Sequence, residues 1–241
     1  MGLIIDSIIK AKNANKKLLA VLLDPDKLDL KKIKDVVQHI NSNNIDFIFV
    51  GGSTVKNGIT KRFVREIKAH TNIAIVLFPG DYTQITHNAD AVLFLSLLSG
   101  RNAEYLIEQQ IKSVPLLENS SLEVISTGYI LIDGGIETAV QRVSKTLPIP
   151  QNNNTKIVDT ACAGMYLGNK LIYLEAGSGA KIPVNSNIIK AVSNKINIPL
   201  IVGGGIRNQE QLDLAYKNGA DLVVIGTAFE ENSKILNTIV K

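Results

Sequence analysis

Leu200-Ile201-Val202-Gly203-Gly204-Gly205 is followed by a helical stretch at 209–217 and then by Leu222-Val223-Val224-Ile225-Gly226-Thr227. Two short apolar runs that each close in glycine, with one amphipathic helix between them, are the signature of parallel strands in a βαβ unit. The same rhythm extends outward in both directions. It places strands at 18–23, 46–50, 73–77, 91–95, 124–132, 171–175, 200–202 and 222–225. Helices read at 30–43, where Leu30, Ile33, Val36, Val37 and Ile40 share one stripe, and at 103–112, 186–195, 209–217 and 233–240. Eight strands alternating with helices predict an α/β fold, a (β/α)8 TIM barrel. The 241 residues suit one such barrel as a single domain.

Two segments depart from the rhythm. One helix fits between Phe63 and Ile73, but Phe78-Pro79-Gly80-Asp81-Tyr82 carries turn signals, so the barrel helix after the third strand is expected to be short or missing. The stretch 144–155, with Pro148, Pro150 and Asn152 to Asn154, reads as a solvated insertion.

Composition narrows the class. A hydrophobic fraction of 45% is too high for a disordered chain, and 26 basic against 22 acidic residues give a net charge of +4. The lysines are scattered along helices, which suits an anionic ligand and disfavours nucleic acid. The lone Cys162 rules out an internal disulfide or cysteine metal cage, so a reducing cytoplasm is the expected location. Cys162, among Ala161, Ala163 and Gly164, reads as a small packed residue. The start of the chain, 1–17, is read as an amphipathic cap helix rather than a signal peptide, and no apolar run is long enough to span a membrane.

The chemistry concentrates at predicted strand ends. Glu175-Ala176-Gly177-Ser178-Gly179, Gly203-Gly204-Gly205 and Gly226-Thr227 let the backbone approach a ligand and aim N–H groups at it, which describes a phosphate cradle where this fold commonly has one. Tyr173 and Glu175, two apart on a strand, face the same way. Glu175 is the candidate general base near a substrate hydroxyl and Tyr173 a hydrogen-bonding orienter, with loop capping or pairing to a lysine left open for Glu175. The first strand ends in Asp24-Pro25-Asp26-Lys27 and the second in Gly51-Gly52-Ser53-Thr54. Asp24 is the first choice for holding a hard cation such as Mg2+, and Ser53 either completes that site or bonds a diphosphate. Asp26 is assigned as the cap of the helix beginning near Leu30, although Asp29 also suits that role. His39, His70 and His87 have no shared spacing and read as surface or capping residues. Asp133-Gly134-Gly135 is a loop signal that turn-making explains as well as ligand contact does.

At these motifs the chain resembles the geranylgeranylglyceryl phosphate synthase family, which includes the heptaprenylglyceryl phosphate synthases. The matching text runs from Leu22-Leu23-Asp24-Pro25-Asp26-Lys27 through Gly51-Gly52-Ser53, Tyr129 to Gly135, Tyr173-Leu174-Glu175-Ala176-Gly177-Ser178-Gly179-Ala180 and Val202 to Arg207, to Gly226-Thr227. The resemblance implies transfer of a prenyl group, most often geranylgeranyl, from its diphosphate to the 3-hydroxyl of sn-glycerol 1-phosphate, with Mg2+. It implies Asp24 and Ser53 as Mg2+ ligands. It implies Tyr173, Leu174, Glu175, Ala176, Gly177, Ser178, Gly179, Gly204, Gly205, Gly226 and Thr227 as the glycerol phosphate site. It also implies a missing or altered third barrel helix and a homo-oligomer, either a dimer or an assembly of dimers, and it leaves room for transient contact with a membrane surface. Leu93, Phe94, Leu95, Leu97, Leu98 and Tyr129 are candidates for lining a prenyl groove, with the barrel core as the alternative use of most of them. A phosphosugar isomerase, epimerase or lyase, or a non-catalytic phosphate-binding scaffold, stays open as a second reading.

Overall fold

The computed structural model describes residues 3–118 and 120–239. Its eight strands close into one parallel barrel in sequence order: β1 (Leu18–Leu23), β2 (Phe47–Val50), β3 (Ala74–Leu77), β4 (Ala91–Leu97), β5 (Glu123–Leu131), β6 (Leu171–Glu175), β7 (Leu200–Gly203) and β8 (Leu222–Ile225). The (β/α)8 expectation is met, and each strand lies within two residues of its expected bounds.

Alternation along the strands divides the apolar side chains into two layers. Leu18, Ala20, Phe47, Phe49, Val76, Leu93, Ile125, Tyr129, Tyr173 and Ile201 fill the barrel interior. Leu19, Val21, Leu23, Ile48, Val50, Ile130, Leu174 and Val202 face outward beneath the helices. The covering stripe of α2 (Ile33–Asn41) shows the energetics. Ile33, Val37 and Ile40 are fully buried, each burial being worth about 1.5–3 kcal/mol.

At the N-terminal end of the barrel, α1 (Ile4–Asn13) turns Ile4, Ile8 and Ala11 into the interior layer and closes the bottom. Glu123, at the start of β5, accepts the backbone N–H groups of Ile4 and Ile5 at the positive end of that helix. The expected cap helix is therefore present, shorter than 1–17, with Met1 and Gly2 outside the described residues.

Several helix expectations need correction. α3 (Ile59–Lys68) begins ahead of Phe63, because Gly58 at φ 81° turns the chain into it. A π-helical turn (Glu104–Glu108) runs into α4 (Gln109–Leu117), past the expected end at 112. The stretch 144–155 is not a free insertion. The short α5 (Ala139–Ser144) precedes it, Ile149 is buried and bridges to Ile132, and the Asn153 side chain caps α6 (Asn154–Tyr166). Cys162 lies half-buried on α6, packed against the outer layer. After β6 come α7 (Ser186–Ser193) and, between β7 and β8, α8 (Gln209–Lys217). After β8, α9 (Thr227–Glu231) is followed by a 3-10 turn (Ser233–Asn237) where a helix at 233–240 is expected, and Val240 lies outside the described residues. Asp29, not Asp26, caps the turn before α2, accepting from the Lys31 N–H at 2.9 Å. Asp26 instead approaches the Lys56 N–H across the mouth at 3.4 Å.

Between β3 and β4 the structure has a single 3-10 turn (Tyr82–Gln84) where a barrel helix would stand. That gap shapes the site.

Candidate active site

A cavity of about 290 Å³ opens at the C-terminal ends of the strands and has two arms of unlike character. The polar arm is bounded by the ends of β1, β2 and β6 to β8, with Asp24, Ser53, Glu175, Gly204 and Thr227 in its wall. The apolar arm runs along β4, lined by Val92, Phe94, Leu95, Tyr105 and Val143, to Gln110 and Ser113 of α4. Val92 faces the outer layer and Leu93 the interior, yet both border the cavity. The cavity therefore wraps over β4 into the space left by the missing helix. Leu98 does not border it; that side chain packs against Gly128 and Gly164.

β6 supplies the centre. Tyr173 and Glu175 share the inner face by the two-residue period, while Leu174 between them turns outward. Glu175 is only 6% exposed, and burial pushes its carboxyl up to about 7, against the Gly177 N–H, which donates to Oε1 at 2.6 Å, and the nearby Tyr173 hydroxyl. Tyr173 stays protonated, driven well above the usual tyrosine range by burial and by the Glu175 charge. Its hydroxyl lies close enough to Glu175 to favour that charge but makes no well-formed hydrogen bond. It stands in the cavity wall as a buried donor without a partner among the described residues.

Register sets Gly203 beside Glu175, and the loop beyond it lies directly on the carboxylate. Gly204 adopts φ +83°, and a Cβ there would stand 2.5 Å from Glu175 Oε1 and 2.6 Å from the Gly177 nitrogen. Only glycine allows this approach. On the neighbouring turn, Thr227 Oγ1 meets Ser178 Oγ at 3.0 Å and accepts from the Gly179 N–H at 3.0 Å. Of the residues expected around glycerol phosphate, Tyr173, Glu175, Ser178, Gly179, Gly204, Gly205, Gly226 and Thr227 border one cavity. Leu174 and Ala176 belong to the outer layer, and Gly177 serves by its N–H to Glu175.

On the other side of the polar arm, Asp24 accepts from the Asp26 N–H at 3.0 Å and is raised above the usual carboxylate range by burial, which outweighs that bond and the Lys27 charge. Gly52 brings its backbone against this carboxylate; a Cβ there would stand 2.8 Å from Oδ1. Among the described residues no group of three or more His, Cys, Asp or Glu side chains could hold a metal. The donor set of Asp24 with Ser53 nevertheless suits Mg2+, which commonly takes one or two carboxylates and fills its shell with phosphate oxygens and water. His39 bonds the Ser233 carbonyl at the surface, and His70 pairs with Glu66. Asp133 accepts from the Gly135 N–H and makes a turn outside the cavity.

The PcrB family model matches residues 11–241. The chain belongs to the PcrB family. A geranylgeranylglyceryl phosphate synthase of Zunongwangia profunda is 56% identical over 230 residues, 95% of this chain and 98% of that protein. One from Thermococcus kodakarensis is 39% identical, covering 96% and 91% of the two chains. The crystal structure of (S)-3-O-geranylgeranylglyceryl phosphate synthase from Thermoplasma acidophilum, in complex with its substrate sn-glycerol-1-phosphate, superposes with a TM-score of 0.93 at 31% identity, covering 99% of this chain and 96% of that one. The family resemblance read from the sequence is thereby borne out, and the protein is a prenyltransferase of the geranylgeranylglyceryl phosphate synthase type.

Sequence reasoning missed three participants of this family member's site. Phe78, read only as part of a turn, stacks on Tyr173. Tyr105 and Gln110 enter the apolar arm from the helical segment after β4. Phe78 follows an inward-facing strand at its C-terminal end, a position where a large aromatic side chain must enter the mouth, and that was the available signal.

Proposed function

We propose that the protein joins an allylic prenyl diphosphate, geranylgeranyl diphosphate in the first instance, to the 3-hydroxyl of sn-glycerol 1-phosphate with the help of Mg2+. The observation that carries this reading is the pairing of a buried Glu175 under a glycine cradle with an apolar arm extending away from it over β4. The solved relative with sn-glycerol-1-phosphate bound supports the choice of acceptor.

In this account Gly204, Gly205, Gly226 and Thr227, with Ser178 and Gly179, bind the acceptor phosphate and fix the glycerol over Glu175. The Tyr173 hydroxyl donates to a glycerol oxygen and completes its own hydrogen bonding. Glu175, its carboxyl pushed by burial up to about 7, is poised to act as a base near neutral pH and takes the hydroxyl proton as the oxygen attacks. The allylic C–O bond to the diphosphate breaks, the ether C–O bond forms, and the diphosphate leaves. Asp24 and Ser53 would hold Mg2+, which when bound offsets the charge of the leaving diphosphate. The apolar arm shelters the prenyl chain from water and aims its first carbon at the acceptor.

An isomerase, epimerase or lyase acting on phosphosugars has no use for the apolar arm, and a binding scaffold has none for a buried carboxylate raised toward neutrality. Incubating labelled sn-glycerol 1-phosphate with prenyl diphosphates of several lengths, with and without Mg2+, tests the proposal. The expected result is a solvent-extractable ether that forms only with the metal. A homo-oligomer working in the cytoplasm, with at most transient contact at a membrane surface, belongs to the same proposal, and sedimentation equilibrium checks the first part. Among the described residues no helix is long and apolar enough to cross a membrane.

A further inference from the structure

Lys27 borders the cavity at its polar arm. Its Nζ lies 2.9 Å from Glu230 Oε2, 3.5 Å from Ser178 Oγ and 3.7 Å from Asp24 Oδ2. These partners come from three strand ends: Asp24 after β1, Ser178 after β6 and Glu230 on α9 after β8. Ser178 is bonded to Thr227 in the phosphate cradle, and Asp24 is the candidate cation ligand. One ammonium therefore spans the gap between the place proposed for the acceptor phosphate and the place proposed for the leaving diphosphate. Beside it, Arg207 at the rim pairs with Glu231, the neighbour of Glu230, at 2.8 Å.

The Lys27 side chain is about half exposed on a long unbranched stem, whereas the shorter Glu230 side chain is carried on α9. A phosphate dianion entering the cradle competes with Glu230 for the ammonium and, with three acceptor oxygens, wins the stronger charge-assisted bonds.

We infer that Lys27 is a substrate-binding residue that Glu230 holds in place in the empty site and that transfers, on binding, to a position between the two anionic groups. The cation proposed at Asp24 and Ser53 would offset the diphosphate, the acceptor phosphate brings further negative charge beside it, and Lys27 is placed between the two. The inference rests on the functional reading above, in which an acceptor phosphate and a diphosphate share the mouth.

The test is isothermal calorimetry of sn-glycerol 1-phosphate, alone and in the presence of inorganic pyrophosphate with Mg2+, on the wild type, Lys27→Met and Glu230→Gln. Lys27→Met keeps the stem and removes the charge. It is expected to weaken acceptor binding about tenfold or more, the usual consequence of losing a charge-assisted bond, and to make pyrophosphate oppose acceptor binding. Glu230→Gln removes the competitor and is expected to bind the acceptor at least as tightly as the wild type. A structural tie between Lys27 and Glu230 would give the same loss in both variants. Equal weakening by both, or unchanged binding in Lys27→Met, overturns the inference. If the wild type itself binds no glycerol phosphate, the functional reading fails instead.

Discussion

The rings of Phe78 and Tyr173 stack with centroids 5.1 Å apart and planes 16° from parallel. Phe78 also meets Tyr129 edge-on at 5.8 Å, so a residue from the segment that lacks a barrel helix braces both tyrosines at the mouth. Phe78→Ala removes that brace. It is expected to cost about 1–3 kcal/mol, since a stacked pair adds about 0.5–1.5 kcal/mol beyond packing and Phe78 is only half-buried. Phe78→Leu keeps the bulk without the flat face, and should recover most of the stability but less of the turnover. Urea unfolding and steady-state kinetics on both variants separate the two effects.

Gly204→Ala places a methyl group against Glu175 and forces φ +83° on a residue with a side chain. The left-handed backbone alone costs about 1–2 kcal/mol, and the clash adds to it. The substitution should therefore lower the melting temperature and weaken glycerol phosphate binding together. Calorimetric melting and titration check both, and normal binding would remove Gly204 from the cradle.

Much of this was legible in the sequence, for identifiable reasons. Strand ends were clear because runs such as Leu200-Ile201-Val202 stop in glycine, and Tyr173 with Glu175 was clear because the strand period is strictly two. α6 was not legible. It buries Ile157, Ala161 and Gly164, a face of mostly small residues with little contrast against its exposed side. The apolar arm was only partly legible, because Tyr105, Gln110 and Val143 come to line one cavity with Phe94 only after the barrel has closed around a missing helix. Leu98, which looked equivalent to Leu97, turns away from the cavity.

Glu175 makes stability depend on pH with a definite sign. Its carboxyl lies at about 7 in the fold against an ordinary 4.5, so the folded state binds the proton more tightly than the unfolded chain. That contribution is fully present below about 4.5 and is lost as pH rises through about 7, a change of about 3 kcal/mol. Glu175→Gln, which never ionises, should lose this dependence and exceed the wild type in stability at pH 8 relative to pH 5. Urea unfolding at the two pH values measures the difference, and parallel shifts in both proteins would argue against a buried ionising carboxylate.

Asp24→Asn keeps the acceptor for the Asp26 N–H but removes the charge that a divalent cation needs. Transfer should fall to background while glycerol phosphate binding, built from the β6, β7 and β8 loops, stays largely intact. Calorimetry with glycerol phosphate alongside a Mg2+ titration of activity distinguishes the two, and equal loss of both would merge the cation site with the acceptor site.

Steady-state transfer by Glu175→Gln tests whether Glu175 takes the proton from the acceptor hydroxyl during prenyl transfer. The amide preserves shape and hydrogen-bonding reach while removing basicity, and a melting curve confirms that the variant is folded. A base at Glu175 gives a fall in kcat of about a hundredfold or more with a modest change in acceptor KM, and a wild-type kcat/KM that declines as pH falls below about 7. A Gln variant within about threefold of the wild type would contradict it and leave proton removal to water or to the departing diphosphate.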